Sequence, residues 1–278
     1  MKGLKTVFKE NKAFTVYTIL VIALFVIVII APYITPQDPF KQTLINAYQA
    51  PSAQHWFGTD MYGRDILSRI IYGTRVTVSA ALIIVVISLI LGLILGMIAG
   101  FFGGIVDAVI MRICDIMISF PDLILAMAIA GILGASFGNA ILAIVAVSWT
   151  KYARLSRSLV LKIKHRDYIS AARVTGSGNS HIMMAYMMPN TIPTMIVTAA
   201  NDIGTTMMGL SGLSFLGVGI QAPTPEWGAM ISEGRQFIQQ YPWMIIFPGI
   251  AIMIVVIILN MWSDNLRDVM DPRRNTAS

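Results

Sequence analysis

RDYISAARVTGSGNSHIMMAYMMPN, residues 166–190, is a polar stretch broken by glycines, with apolar runs long enough to cross a bilayer on both sides. Asp167 can cap a short helix through about Val174, its carboxylate accepting hydrogen bonds from the first-turn amides. Gly176 and Gly178 end that helix, because glycine tolerates the left-handed backbone found at helix termini. Asn179 or Ser180 can start a second helix, which Pro189 closes by pushing the residue before it out of the helical region. The stretch therefore predicts a helix-turn-helix in water. Ala171 and Ala172 leave one face of its first helix almost without side chains, so another surface can approach closely. A loop needs no such build merely to join two spans. Two readings account for it: an amphipathic hairpin resting on lipid headgroups, or a handle gripped by a partner.

The composition around this stretch is that of a membrane protein. Hydrophobic residues make up 56% of the 278 and charged residues only 12%, against about 25% charged in soluble domains. Mean hydropathy is +0.73. Phe14–Ile34 is uncharged and matches the roughly 20 residues that span a hydrocarbon core. It is too long for a signal-peptide core, and no small-x-small cleavage site follows. Further candidates run from Val76 to about Phe102, Ile113 to Gly134, Asn139 to about Tyr152, Thr191 to about Leu216, and Trp243 to Trp262. The expected fold is all-α and polytopic, with six transmembrane helices and both termini on one side.

Lysine and arginine decide which side. Fifteen of them flank the faces bearing the termini and the 151–190 segment, among them Lys2, Lys5, Lys9, Lys12 and seven from Lys151 to Arg173. Five lie on the other face: Lys41, Arg64, Arg69, Arg75 and Arg235. The positive-inside rule places the termini in the cytoplasm. The net charge of +6 is thus topological, and nucleic-acid binding is not needed to explain it. The single cysteine, Cys114, excludes an internal disulfide and a cysteine-built metal site. No Gly-x4-Gly-Lys-Ser/Thr loop occurs, so the chain shows no nucleotide site of that kind.

The order of motifs resembles a known family. D-Y-I-S-A-A-R-V-T-G followed after nine residues by Y-M-M-P-N is similar to the EAA signature of ABC importer permeases, E-A-A-x3-G-x9-I-x-L-P. Ala171, Ala172, Gly176 and Pro189 match, while Ser170 replaces the Glu, Tyr186 the Ile and Met188 the Leu. HWFGTDMYGRDILSRIIYG (55–73) and LSFLGVGIQAPTPEWGAMISEGR (213–235) resemble blocks of the dipeptide/oligopeptide/nickel permeases, as do FPG (247–249) and LRDVMDP (266–272). The resemblance implies a type I ABC importer permease fold. It divides the chain into 1–75 (tail, first span, outer segment) and 76–278 (a five-helix permease core with coupling loop 151–190). It implies a second homologous permease, two cytoplasmic ATPase subunits carrying ATP and Mg, an extracytoplasmic solute-binding protein, and a place in the inner membrane of a prokaryote. The chain itself would hold no cofactor, no metal and no catalytic residue. Asp167, Ser170, Ala171, Ala172, Gly176 and Pro189 would then couple to the ATPase. Gly58, Asp60, Arg64, Asp65, Pro225, Trp227 and Gly228 would form the outer gate or touch the binding protein.

Asp202 is the costliest residue, an aspartate near the middle of the fifth span, where insertion scales charge about 2.5–3.5 kcal/mol. Asn201, Thr205, Met208, Gly212 and Phe215 follow at helical spacing and can line the same face of a translocation path. The other reading is a hydrogen bond from Asp202 to a neighbouring subunit. Asp115 and Asp122, seven apart in the third span with Pro121 between them, read as structural, with Arg112 in range of Asp115. Gly92, Gly96 and Gly100 at four-residue intervals read as a helix-packing seam, and the glycines at 217–219 as packing or a flexible gate. The eighteen methionines invite a soft-metal path but serve equally as adaptable apolar residues.

For cargo, the neutral Leu210, where peptide permeases of the family often carry an acidic residue, leans the expectation to nickel or a metal chelate, with di- or oligopeptides as the alternative. A self-contained secondary transporter or channel should show inverted repeats and broken midplane helices, and no convincing repeat is visible. An intramembrane enzyme would need a catalytic set in the spans, and none can be nominated.

Overall fold

Asp65 opens the longest element of the molecule. Its carboxylate accepts hydrogen bonds from the backbone amide and hydroxyl of Ser68 at 2.8 and 2.7 Å, capping a 37-residue helix, Ile66–Phe102. The computed structural model describes residues 11–270. Over that range the helices are α1 (Lys12–Ile34), α2 (Ile66–Phe102), α3 (Gly104–Ile118), α4 (Asp122–Leu133), α5 (Phe137–Lys164), α6 (Asp167–Val174), the single turn α7 (Asn179–His181), α8 (Met188–Phe215), α9 (Trp227–Gly234) and α10 (Trp243–Met270). Lys2, Lys5, Lys9, Arg273, Arg274 and both termini lie outside the described residues.

Among the described residues, three helices are long and apolar enough to cross a membrane: α1, α2 and α10. The third candidate span is not one helix. α3 and α4 meet at 93°, because Pro121 sits between them, and the residue before a proline is disfavoured in the helical region. Asp115 and Asp122 therefore lie on different helices. The fourth candidate continues well past Tyr152, as α5 stays helical to Lys164. α5 and α8, 28 residues each, are the polar members of the bundle.

α2 and α5 form the closest-packed pair, and three glycines explain it. A Cβ at Gly92 would lie 2.3 Å from the Cβ of Tyr152, one at Gly96 2.2 Å from the Ala153 carbonyl oxygen, and one at Gly100 2.9 Å from Val160. Small residues at this spacing let helix backbones touch. Gly96→Ala should be strongly damaging, since its methyl meets backbone that cannot rotate away. Overpacking of this kind costs about 1–3 kcal/mol or more. Reduced thermal stability of the purified variant is the expected result, and unchanged melting would contradict the seam.

At the hairpin end, α6 begins at Asp167 with Arg166 in the cap position and no side-chain cap bond. Asp167 acts instead as a first-turn acid favoured by the helix dipole. Gly176 is left-handed, φ +83°. Ser177 N–H reaches Ala172 O and Gly176 N–H reaches Arg173 O, the paired bonds of a glycine-terminated helix. Pro189 does not end a helix. Residues 179–215 are continuously helical, with a π-helical stretch at Ile182–Met187. Proline is accepted there because the preceding turns are widened and it lies in the first turn of α8.

Candidate functional site

Three groups of predicted residues find their places. At the hairpin, Ala172 is buried with Ile169 against Met97, Phe101, Val160, Ile182 and Met187. Arg173 stacks its guanidinium 5.7 Å from the Phe101 ring centre. Ala172 is therefore an anchor to the bundle, which corrects its place on the open face. The face left open is Asp167, Ser170, Ala171 and Val174, at one-turn spacing along α6. Val174 is 89% exposed. Gly176 and Pro189 are exposed at the tip and on the return helix.

At the opposite end of α2, the residues expected to form the outer gate or touch a binding protein, Asp60, Arg64, Asp65, Pro225, Trp227 and Gly228, are all buried within the chain. Arg64 donates to Asp60 at 2.5 Å and to Glu233 at 2.8 Å, and Arg69 adds a 3.4 Å contact to Glu233. Asp65 also holds His55 at 3.0 Å. Gly58, left-handed at φ +75°, turns the chain back beneath Trp243, where a Cβ would lie 2.6 Å from the Gln49 carbonyl oxygen. Glu226, which the sequence reading passed over, is fully buried. It accepts from Ser211 Oγ at 3.0 Å and from the Ala229 amide at 2.8 Å, capping α9 and pinning it to α8. Gly228 is packed on that crossing, since a Cβ would lie 2.2 Å from the Ser211 carbonyl oxygen. Trp227 donates its indole N–H to Ile70 O at 3.0 Å. The signal for Glu226 was its place before the apolar start of α9, where an acceptor caps the helix.

In the middle of the bundle, Asp202 is satisfied within the chain. Its Oδ2 lies 2.9 Å from Lys151 Nζ and accepts from the Tyr152 hydroxyl at 2.6 Å. Lys151 is thus a mid-helix ion-pair partner. Two more cations follow at three-residue steps along α5. Arg154 pairs with Asp115, in place of the expected Arg112, and Arg157 pairs with Asp107, its Nη2 2.6 Å from Oδ2. The sequence signal was the Lys-x2-Arg-x2-Arg spacing set against Asp107, Asp115 and Asp122. Beside Lys151 opens a cavity of about 170 Å³ that Thr205, Gly209 and Asp122 help to line. Asn201 and Met208 are exposed on the same face of α8 as Thr205, and Gly212 is half-buried against Leu123.

Asp202 is largely covered while Lys151 is exposed, and an ionised side chain left without its partner in a spanning segment is costly. Asp202→Ala should lower the amount of folded protein in membranes, and Lys151→Met with Asp202→Leu should restore it. A double variant that accumulates no better than the single one would remove the pair as the cause.

Residues 92–276 of this helical bundle match the family described as binding-protein-dependent transport system inner membrane component. The chain belongs to this family. It is a multi-pass inner-membrane permease subunit of an ABC importer. Residues 6–51 match the N-terminal transmembrane domain of oligopeptide transport permease C. Among relatives of this permease, the dipeptide transport system permease protein DppC of Alkalihalophilus pseudofirmus is 44% identical, covering 95% of this chain and 87% of that one. The nickel transport system permease protein NikC of Escherichia coli K12 is 39% identical, covering 91% and 92%. A crystal structure of an amino acid ABC transporter with histidines shares the fold, with TM-score 0.51 at 16% identity over 74% of this chain and 94% of that one.

Proposed function

We propose that this permease forms half of the path for a di- or oligopeptide importer, and that the peptide alternative replaces the nickel leaning. The supporting observation is chain-long similarity at 44% to a dipeptide permease, above the 39% to a nickel permease. The neutrality at position 210, which favoured nickel, loses its force because Leu210 is fully buried in an apolar cluster with Ala80, Ile84 and Leu213. A residue packed there reports on the core and not on the cargo.

In this reading six spans cross the membrane, with both termini and α6 in the cytoplasm, as the basic asymmetry favours. Residues 1–75 carry the tail, first span and outer segment, and 76–278 the core. A second homologous permease completes the path. Two ATPase subunits bring ATP and Mg, and their closure moves α6 through the Asp167, Ser170, Ala171 and Val174 face. A solute-binding protein delivers cargo to an outer end held by the Arg64 and Glu226 clusters. Switching is then a rigid-body change between two packed arrangements.

The test is uptake in a strain deleted for its own peptide and nickel importers and supplied with the whole transporter. ATP-dependent entry of labelled dipeptide is the expected result. Entry of nickel without dipeptide would overturn the cargo, and uptake independent of the ATPase subunits would overturn the mechanism.

A further inference from the structure

The cations of α5 take carboxylates in order: Arg157 meets Asp107 and Arg154 meets Asp115. One step further, Lys151 and the next acid, Asp122, line a single cavity. Yet Lys151 turns to Asp202, and Asp122 has no ionic or hydrogen-bonding partner among the described residues. The third rung of the ladder is open, and the cavity occupies it. With Asp202 neutralised by Lys151, the cavity keeps the uncompensated negative charge of Asp122. Asp122 is exposed in the first turn of α4, just past the bend at Pro121, and a carboxylate within a spanning bundle needs water, a partner or a cation to face.

We infer that this cavity is a transit subsite for the α-ammonium group of a short peptide, with Asp122 as its counter-ion. The inference rests on the peptide reading of the cargo. An ammonium brings three N–H donors, and the cavity offers three kinds of acceptor in Asp122, Ser148 and Thr205. Leu123 and Ile144 supply an apolar wall for the first side chain. Its volume, about 170 Å³, falls below the roughly 300–1,000 Å³ of sites that enclose a drug-sized ligand, so it suits one end of a peptide. A dication fits poorly. No cluster of three or more metal-binding side chains exists among the described residues. Because Lys151 is committed to Asp202, the site presents one open charge. It can hold an amine briefly without a second charged clamp to slow release.

The experiment uses the complete transporter in proteoliposomes, with both permeases, the ATPase subunits and the binding protein, and labelled dialanine as cargo. It reads uptake, ATP hydrolysis stimulated by loaded binding protein, and retention of the second permease in the purified complex. Asp122→Asn should lower uptake about ten- to a hundredfold, the range for losing a charged hydrogen bond. Stimulated hydrolysis should persist, so that more ATP is spent per peptide, and Asp122→Glu should recover most of the uptake. An asparagine variant that imports at the wild-type ratio of peptide to ATP overturns the subsite and leaves the peptide reading standing. Loss of the second permease from that variant also overturns it, since the carboxylate would then face the partner. If the wild-type complex imports no dipeptide, the cargo reading itself has failed and the subsite falls with it.

Discussion

Arg64→Leu is expected to destabilise the permease by about 3–5 kcal/mol, the cost of leaving buried charges without their partner. Arg64 is 1% exposed and bridges Asp60, at 2.5 Å, to Glu233, at 2.8 Å. These carboxylates belong to parts of the chain far apart in sequence, the outer segment and α9. Arg69 reaches the same two groups only at 3.6 and 3.4 Å and divides its donors with the carbonyls of Pro39 and Pro223. It therefore cannot replace the lost guanidinium. Thermal unfolding of the purified protein should show the loss directly. Arg64→Lys should recover only part of it, because an ammonium lacks the planar fork that serves two carboxylates at once. A leucine variant as stable as the wild type would show that the network does not hold the outer end together.

The second large effect separates two adjacent alanines. Ala171→Trp projects a bulky group from the open face of α6. It should leave the protein inserted and as stable as before while peptide uptake falls to background. Ala172→Trp drives the same group into the cluster of Phe101, Val160 and Met187, where overpacking costs stability. That protein should accumulate poorly. Comparing membrane content with uptake distinguishes them. Full uptake by the Ala171 variant would remove α6 as the contact through which force enters, and equal instability of both would remove the distinction between the faces.

Much of this architecture could be read from local chemistry. Apolar runs marked α1, α2 and α10, the glycine at 176 marked the end of α6, and the four-residue glycine spacing marked the α2–α5 contact. Asp202 stood out because a charge in an apolar run requires an explanation. What escaped was set by tertiary partners. Arg112 lay at the right local spacing for Asp115, but Arg154, distant in sequence, took that place. Ala171 and Ala172 look alike as residue types, and only the neighbouring Phe101 and Ile182 decide which is covered. Pro189 carries a strong stop signal, which the π-helical turns before it overrode. The burial of the charged outer motif was not legible, because it depends on opposite charges distant in sequence, Arg64 and Glu233, that allow it to be folded inward. Along α5, pairing also altered how Lys151, Arg154 and Arg157 should be counted, since each is held by a carboxylate of the same chain.

The glycine contact between α2 and α5 has a mechanical consequence. With main chain resting on main chain at Gly92 and Gly96, neither rod can slide or roll against the other without collision, so the two are riveted and must travel as one strut. Any opening of the passage has to shear along a softer boundary. The line between α5 and α8, crossed at mid-height by the grip of Lys151 and Tyr152 on Asp202, is where such a slip plane would run.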